Sequence, residues 1–166
     1  MPHEVALRDG TVVALRPIAP DDRDRLVAFH DALSAETARL RFFTPHPRLS
    51  SAELDRFTSV DHRDREALVV LSDEAIVGVG RYDRTVGTDA AEVAFVIADA
   101  WQGHGVATIL LEELRARALT AGITEFFAET LGENHAMREV FAHSGMVTGT
   151  SWSGGTARVT MRLAAG

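Results

Sequence analysis

Residues Glu92 to Leu111, EVAFVIADAWQGHGVATILL, carry the strongest structural signal in the chain. A β-branched and aromatic run typical of a buried strand comes first, and a short polar turn with glycines at 103 and 105 follows it. The turn leads directly into a helix predicted from Val106 to Ala121, with apolar residues at 106, 110, 114 and 118. The glycines leave backbone N–H groups unobstructed, and the positive end of the helix dipole points at the same place. This order of elements predicts a cradle for phosphate.

Two other phosphate-binding motifs do not fit this turn. A P-loop requires lysine and then serine or threonine after its second glycine, and no lysine follows Gly105. A dinucleotide-binding fingerprint requires a third glycine three residues after the second, where this chain has Thr108. Two glycines before a helix can also form a purely structural turn, which remains the alternative to a phosphate site.

The turn resembles motif A of the GNAT acyltransferases, whose pyrophosphate loop has the pattern Arg/Gln-x-x-Gly-x-Gly/Ala. Gln102, Gly105 and Ala107 occupy its three defined positions. The resemblance implies acetyl-CoA as co-substrate, with its pyrophosphate held by the loop residues Gln102, Gly103, His104, Gly105, Val106, Ala107 and Thr108. His104 stands where arginine or lysine is common, and either contacts phosphate or points to solvent. The resemblance also implies that the strand splays from its neighbour near Val96, Ile97 and Ala98, where freed backbone groups bind the thioester and pantetheine; ordinary ladder pairing is the alternative.

The order of the predicted elements extends this resemblance over nearly the whole chain. Hydrophobic periodicity and turn residues predict the order β-α-α-α-β-β-β-α-β-α-β-β. The seven strands are expected at 11–16, 67–71, 76–82, 92–97, 125–131, 147–152 and 157–163. Ser34 is the expected N-cap of a helix reaching Phe43, residues 44–47 break that helix, and a capping box from Ser50 to Glu53 begins the next. The fold class is therefore expected to be α/β (α+β): a GNAT fold with a mixed, twisted seven-stranded sheet and helices on both faces.

Length and composition limit the class of protein. The 166 residues favour a single domain over residues 1–166, and the first ten residues lack a signal-peptide pattern, so we expect a cytoplasmic protein. No run of about 18 apolar residues occurs, so no membrane association is expected. The net charge of −7 disfavours nucleic acid as a partner. All 17 basic residues are arginine, and there is no lysine. Cysteine is absent, which excludes acyl transfer through an enzyme thioester.

Glu92 is the candidate general base. The resemblance implies this role, because GNAT enzymes that act on protein lysines often have a glutamate at this place. A lysine side chain has a pKa of about 10.4, so the attacking amine must first lose a proton. A carboxylate near the thioester can accept that proton directly or through one water. A solvent-facing glutamate at a strand edge is the structural alternative, and Glu129 is the competing catalytic candidate.

The segment ENHAMREVFAHSGM, residues 133–146, resembles GNAT motif B. The resemblance implies that Asn134 contacts the pantetheine region, and asparagine also suits a helix N-cap. Many GNAT enzymes have a tyrosine further along this helix that protonates the leaving thiolate, but this chain has Phe141 there. We therefore expect no tyrosine acid, and the only tyrosine, Tyr82, lies on another strand. The seven histidines show no convincing metal spacing, so no metal site is expected.

Residues 49–70, LSSAELDRFTSVDHRDREALVV, resemble the GNAT domains of bacterial protein lysine acetyltransferases. Together with Arg39 and Arg41, the segment 44–60 falls where GNAT folds build the acceptor site. The chain is therefore predicted to acetylate a protein lysine ε-amine by direct attack in a ternary complex with acetyl-CoA. Two alternatives remain: a small-molecule amine N-acetyltransferase, and a non-catalytic acyl-CoA-sensing module.

Overall fold

The computed structural model describes residues 3–42 and 49–163. The eight strands are β1 His3–Ala6, β2 Val12–Pro17, β3 Arg65–Ser72, β4 Ala75–Arg84, β5 Ala90–Ile97, β6 Glu125–Leu131, β7 Val147–Ser153 and β8 Thr156–Arg162. The helices are α1 Arg23–Asp31, α2 Ala35–Phe42, α3 Ser51–Thr58, α4 Val106–Thr120 and α5 His135–His143, with short 3-10 turns at Pro20–Asp22 and Asp99–Trp101. The expected extension of α2 to Phe43 and its break at residues 44–47 lie outside the described residues.

The strands form one sheet in the order β1-β2-β3-β4-β5-β6-β8-β7. Neighbouring strands are antiparallel except β5 and β6, which are parallel. The mixed α/β class is confirmed, but the expected strand number of seven is wrong. The additional strand, β1, pairs with β2 at the sheet edge, and Val5 is its only residue that is not exposed. Four residues with one half-buried side chain leave too little alternation in the sequence to predict a strand.

Helices cover both faces of the sheet, as expected. On one face α4 packs over β3, β4 and β5, and its buried Leu110 and Leu114 belong to the larger core. On the other face α1 and α3 cover a smaller core that includes Leu26 and Leu54. Because side chains alternate along β5, Val93, Phe95 and Ile97 face α4. Glu92, Ala94 and Val96 therefore face the side of α1 to α3.

The sheet opens in the middle, between β5 and β6. Parallel pairing joins these strands only at Ala90–Glu92 with Glu125–Phe127. Beyond Glu92, β5 continues along β4 as far as Ile97, whereas β6 continues along β8 as far as Leu131. The two strands therefore diverge where the sequence motif predicted a splay.

Local capping signals are confirmed where the structure describes them. Ser50 and Glu53 form the expected capping box of α3. Ser34 accepts a hydrogen bond from the Thr37 N–H at 3.1 Å at the start of α2. No helix in the described ranges is long and apolar enough to cross a membrane.

Candidate functional site

The loop before α4 has the geometry of an anion cradle. Gly103 and Gly105 have φ angles of 79° and 87°, in the left-handed region that favours glycine. Gly105 is the N-cap of α4, and the first turn of α4 contains no acidic side chain. The backbone N–H groups of residues 103–108 donate no hydrogen bond to any described residue. Exposed donors at a helix N-terminus are suited to phosphate oxygens.

Gln102 fixes this loop to the rest of the site. Its Nε2 donates to the carbonyl oxygen of Ile97 at 3.1 Å and to Thr37 Oγ1 at 3.2 Å. The loop is thereby tied to the end of β5 and to α2. The exposed His104 instead folds back, with Nδ1 3.0 Å from the carbonyl oxygen of Gln102 and its ring 6.3 Å from that of Trp101.

A large cavity of about 780 Å³, here called the cofactor cavity, lies beside this loop between α4, α5 and the open end of β5. Nine of the predicted cofactor-binding residues line it: Val96, Ile97, Gln102, Gly103, Gly105, Val106, Ala107, Thr108 and Asn134. Ala98 and His104 are not part of the lining. The N–H of Ala98 donates to the carbonyl of Val77 at 2.9 Å, so it takes part in pairing with β4.

Three arginines in the cofactor cavity were not identified from the sequence. Arg8 follows β1, Arg115 lies on α4, and Arg162 ends β8. Arg115 stands seven residues after Thr108, so helical periodicity could have placed it on the same face as the loop. Arg8 and Arg162 lie at the cavity because of the order of the strands in the sheet, which the sequence around them does not indicate. Three guanidinium groups and a row of free amides make this cavity suitable for a ligand with several phosphates.

A second cavity of about 270 Å³, here called the acceptor cavity, lies on the other side of the splay. Its charged lining residues are Arg41, Arg81, Asp83, Glu92 and Glu129. The two cavities share five lining residues, Leu40, Arg41, Phe95, Asn134 and Met137. A ligand in one cavity can therefore meet a ligand in the other where β5 leaves β6.

The two candidate bases differ in their surroundings. Glu92 forms the last pair with β6, opposite Phe127, and its carboxylate makes no hydrogen bond or ion pair with any residue in the described ranges. Burial raises the pKa of Glu92, the charge of Glu129 raises it further, and Arg41 opposes both effects. Glu129 instead accepts a hydrogen bond from Arg158 Nη1 at 3.1 Å. Glu92 is thus the carboxylate that is available to accept a proton in the acceptor cavity.

Asn134 stands at the junction of the two cavities and also begins α5. Its Oδ1 accepts a hydrogen bond from the Met137 N–H at 3.3 Å, which makes it the N-cap. It lines both cavities as well. The structural and functional interpretations of Asn134 are therefore compatible.

No tyrosine lies in either cavity. Phe141 lines the acceptor cavity and packs against Phe95, with ring centroids 6.1 Å apart. The buried Tyr82 donates its hydroxyl to the carbonyl of Arg63 at 2.9 Å, on the α4 face of the sheet. Burial raises the pKa of Tyr82 to about 12.

We therefore expect Tyr82→Phe and Phe141→Tyr to leave kcat nearly unchanged. Tyr82→Phe removes one hydrogen bond, which should lower the free energy of unfolding by about 0.5–1.5 kcal/mol without affecting the site. Steady-state kinetics and thermal unfolding of both variants check this. A large fall in kcat for folded Tyr82→Phe would show that Tyr82 acts as an acid.

The described residues contain no cluster of metal ligands. In residues 3–42 and 49–163 no three side chains of histidine, aspartate or glutamate are placed to hold an ion.

Known proteins resemble this chain in sequence and in structure. A family model described as "Acetyltransferase (GNAT) domain" matches residues 13–147. "Acetyltransferase PA5475" of Pseudomonas aeruginosa is 32% identical over 146 residues, covering 86% of this chain and 78% of the relative. "Acetyltransferase Pat" of Mycolicibacterium smegmatis is 31% identical over 150 residues, covering 88% of this chain but only 44% of Pat. The crystal structure of the GNAT domain of S. lividans PAT superposes with a TM-score of 0.92 at 40% identity, covering 97% of this chain and 96% of that domain.

Proposed function

Because the chain belongs to the GNAT family of acetyl-CoA-dependent N-acetyltransferases, we propose that it acetylates the ε-amine of a lysine in a protein. The observation that carries this proposal is the position of Glu92. Its unpaired carboxylate lines a cavity that meets the cofactor cavity at the splay. Similarity to "Acetyltransferase Pat" and to the GNAT domain of PAT supports acetyl transfer as the reaction, and the resemblance of residues 49–70 to protein lysine acetyltransferases favours lysine as the acceptor.

The proposed reaction starts with acetyl-CoA in the cofactor cavity. The free amides of residues 103–108 bind its pyrophosphate, and Arg8, Arg115 and Arg162 supply further positive charge. The pantetheine arm then runs toward the splay and brings the thioester to the edge of the acceptor cavity. Backbone groups of β5 near Val96, freed where β6 diverges, bind the arm and the thioester carbonyl.

The acetyl transfer takes place where the two cavities meet. Glu92 accepts a proton from the lysine ammonium, and the neutral amine attacks the thioester carbonyl carbon. The resulting oxyanion is stabilised by a backbone N–H at the splay. Collapse of the tetrahedral intermediate breaks the carbon–sulfur bond and releases coenzyme A as a thiolate, and the nitrogen loses its remaining extra proton to water to give the neutral amide. Free thiols ionise near pH 8–9, so the thiolate can leave without the tyrosine that Phe141 replaces.

A direct attack is favoured over a covalent enzyme intermediate. The chain has no cysteine to carry the acetyl group. The two adjoining cavities provide separate places for donor and acceptor in one ternary complex.

A small-molecule amine is the second candidate acceptor. The acceptor cavity of about 270 Å³ is large enough to enclose a compound of amino-acid size. A protein acceptor would fit the same cavity if its lysine side chain entered and its backbone stayed outside.

Incubation with acetyl-CoA and a bacterial lysate tests the proposal. We expect new acetyl-lysine on lysate proteins, detected by antibody and located by mass spectrometry, and its loss with Glu92→Gln. The absence of lysine from these 166 residues means that an acetyl-lysine signal arises from the acceptor alone. Acetylation confined to small amines would instead support the second candidate. Acetyl-CoA binding without transfer to any amine would indicate a sensing module.

A further inference from the structure

Arg81 places a guanidinium group in the wall of the acceptor cavity. It lies on β4 opposite Ala94 of β5, and only 8% of its surface is exposed. The ring of Phe57 from α3 lies over it, with Cζ 4.4 Å from the ring centroid. The contact with Phe57 holds the guanidinium in place but does not neutralise it.

No carboxylate among the described residues pairs with Arg81. Among residues 3–42 and 49–163 its guanidinium has no hydrogen-bond or ion-pair partner, and because no fully buried side-chain nitrogen in these ranges lacks a partner, its N–H groups are open to the acceptor cavity. The remaining stretches, 1–2, 43–48 and 164–166, contain no aspartate or glutamate. Elsewhere the chain pairs its buried charges: Arg16 donates two hydrogen bonds to the buried Asp22, each 2.7 Å long. Arg81 instead has no partner among the described residues, and a charge in this position costs less when a ligand in the cavity supplies the partner.

The surroundings of Arg81 are positive although the chain as a whole is acidic. Burial lowers the pKa of Arg81, and the charges of Arg41, Arg65 and Arg56 lower it further, against Asp83 alone. Asp83 is itself occupied, because it accepts a hydrogen bond from Arg65 Nε at 2.9 Å. Arg41 lines the same cavity as Arg81. Arg81 and Arg41 can therefore bind an anion at this place, although Asp83, Glu92 and Glu129 also line the cavity.

We infer that Arg81, together with Arg41, binds a carboxylate of the acceptor, so that the substrate carries a carboxylate close to the amine that Glu92 deprotonates. The inference rests on the proposed function and specifies its substrate. The planar guanidinium of arginine matches a carboxylate with two parallel N–H donors, which gives orientation as well as affinity. An acceptor with a carboxylate would supply the direct partner that Arg81 does not find among the described residues.

The register of the strands limits the distance between the two groups of the acceptor. Arg81 pairs with Ala94 and Asp83 with Glu92, so Arg81 and Glu92 are diagonal neighbours on one face of the sheet. Diagonal neighbours in an antiparallel pair are about 7–8 Å apart. The carboxylate and the amine can therefore belong to adjacent residues of a protein or to one free amino acid.

Two matched pairs of acceptors test the inference and separate these two sources. One pair is a peptide with glutamate beside its lysine and the same peptide with glutamine there. The other pair is free lysine and lysinamide. We expect wild-type kcat/KM to favour the carboxylate member of at least one pair by about 10-fold to 100-fold, as for hydrogen bonds between charged groups. The pair that responds identifies the source.

Arg81→Met is the decisive variant, because methionine keeps an unbranched apolar stem against Phe57 and removes the charge. Its preference ratio should fall to about one, while its affinity for acetyl-CoA stays unchanged by calorimetry. Arg23→Gln, an exposed change on α1 outside both cavities, removes the same charge and should keep the wild-type ratio. If Arg81→Met does not fold, Arg81→Lys serves instead, and its ratio should fall several-fold because the two-pronged contact is lost.

The outcomes distinguish this inference from the function on which it rests. Equal rates for both members of both pairs in the wild type would overturn the carboxylate site and leave the acetyltransferase function intact. A preference that survives in Arg81→Met would do the same. No acetylation of any amine would overturn the proposed function itself.

Discussion

Glu92→Gln is expected to lower kcat by about 10²–10⁴-fold and to leave the affinity for acetyl-CoA nearly unchanged. Glutamine keeps the size of the side chain and cannot accept the proton. The affinity should persist because Glu92 lines the acceptor cavity and not the cofactor cavity. Initial rates with a lysine peptide and calorimetry with acetyl-CoA measure the two quantities separately.

The dependence of kcat/KM on pH provides a second test of the Glu92→Gln substitution. Burial and the charge of Glu129 raise the pKa of Glu92. The ionised, basic form of Glu92 therefore appears at a higher pH than that of an ordinary glutamate. Wild-type kcat/KM should therefore fall as the pH drops through that raised pKa. Glu92→Gln should lack this step, and its residual rate should rise with pH as the amine itself loses its proton.

Glu129→Gln is the matched control, since it removes a carboxylate from the same cavity. We expect a smaller loss of kcat, because Arg158 already engages Glu129. Near-wild-type kcat for Glu92→Gln over about pH 6–9 would show that Glu92 is not the base.

Gly105→Glu is expected to weaken acetyl-CoA binding by about 100-fold or more, since several hydrogen bonds from the loop to charged oxygens are disturbed together. The φ of 87° at Gly105 is unfavourable for any residue with a side chain, so the cradle is strained. The new carboxylate also repels the pyrophosphate at the start of α4. No atom lies within 4 Å of a Cβ built at this position, so the fold itself should survive.

Gly87→Glu controls for the effects of charge and backbone strain. Gly87 also has a positive φ, 76°, and open space around its Cβ, but it lies in the loop between β4 and β5 outside both cavities. Calorimetry should show wild-type affinity for Gly87→Glu, with circular dichroism confirming that both variants fold. Unchanged affinity in Gly105→Glu would rule out the loop as the pyrophosphate site.

The elements of the fold were largely predictable because their signals are local. The glycine turn, the apolar periodicity of α4 and the capping box at Ser50 each lie within a few neighbouring residues, and each appears in the structure. The strand β1 was not predicted, since a short edge strand buries too little to impose alternation. Its existence depends on pairing with β2.

Residues of the candidate site were predictable from the sequence only where they belong to a recognisable motif. Gln102 and Glu92 stand in recognisable segments, whereas Arg8, in the turn after β1, and Arg162, at the end of β8, are far from them in sequence. Arg81 lies in a strand of mostly apolar residues, and the sequence alone does not show whether it is buried. Pairing with Ala94 and contact with Phe57 place the guanidinium in the cavity wall. Both contacts depend on the tertiary structure, so the sequence alone does not show them.

The divergence of β5 from β6 also makes the stability of the folded protein depend on its co-substrate. Beyond Glu92 the strands β5 and β6 exchange no ladder hydrogen bonds, and in the proposed complex acetyl-CoA would bridge that gap. A ligand at 100 times its Kd stabilises the folded state by about 2.7 kcal/mol. That amount lowers the unfolded fraction on which cellular proteases act by about 100-fold. When acetyl-CoA is scarce, the folded state loses this stabilisation and its unfolded fraction rises.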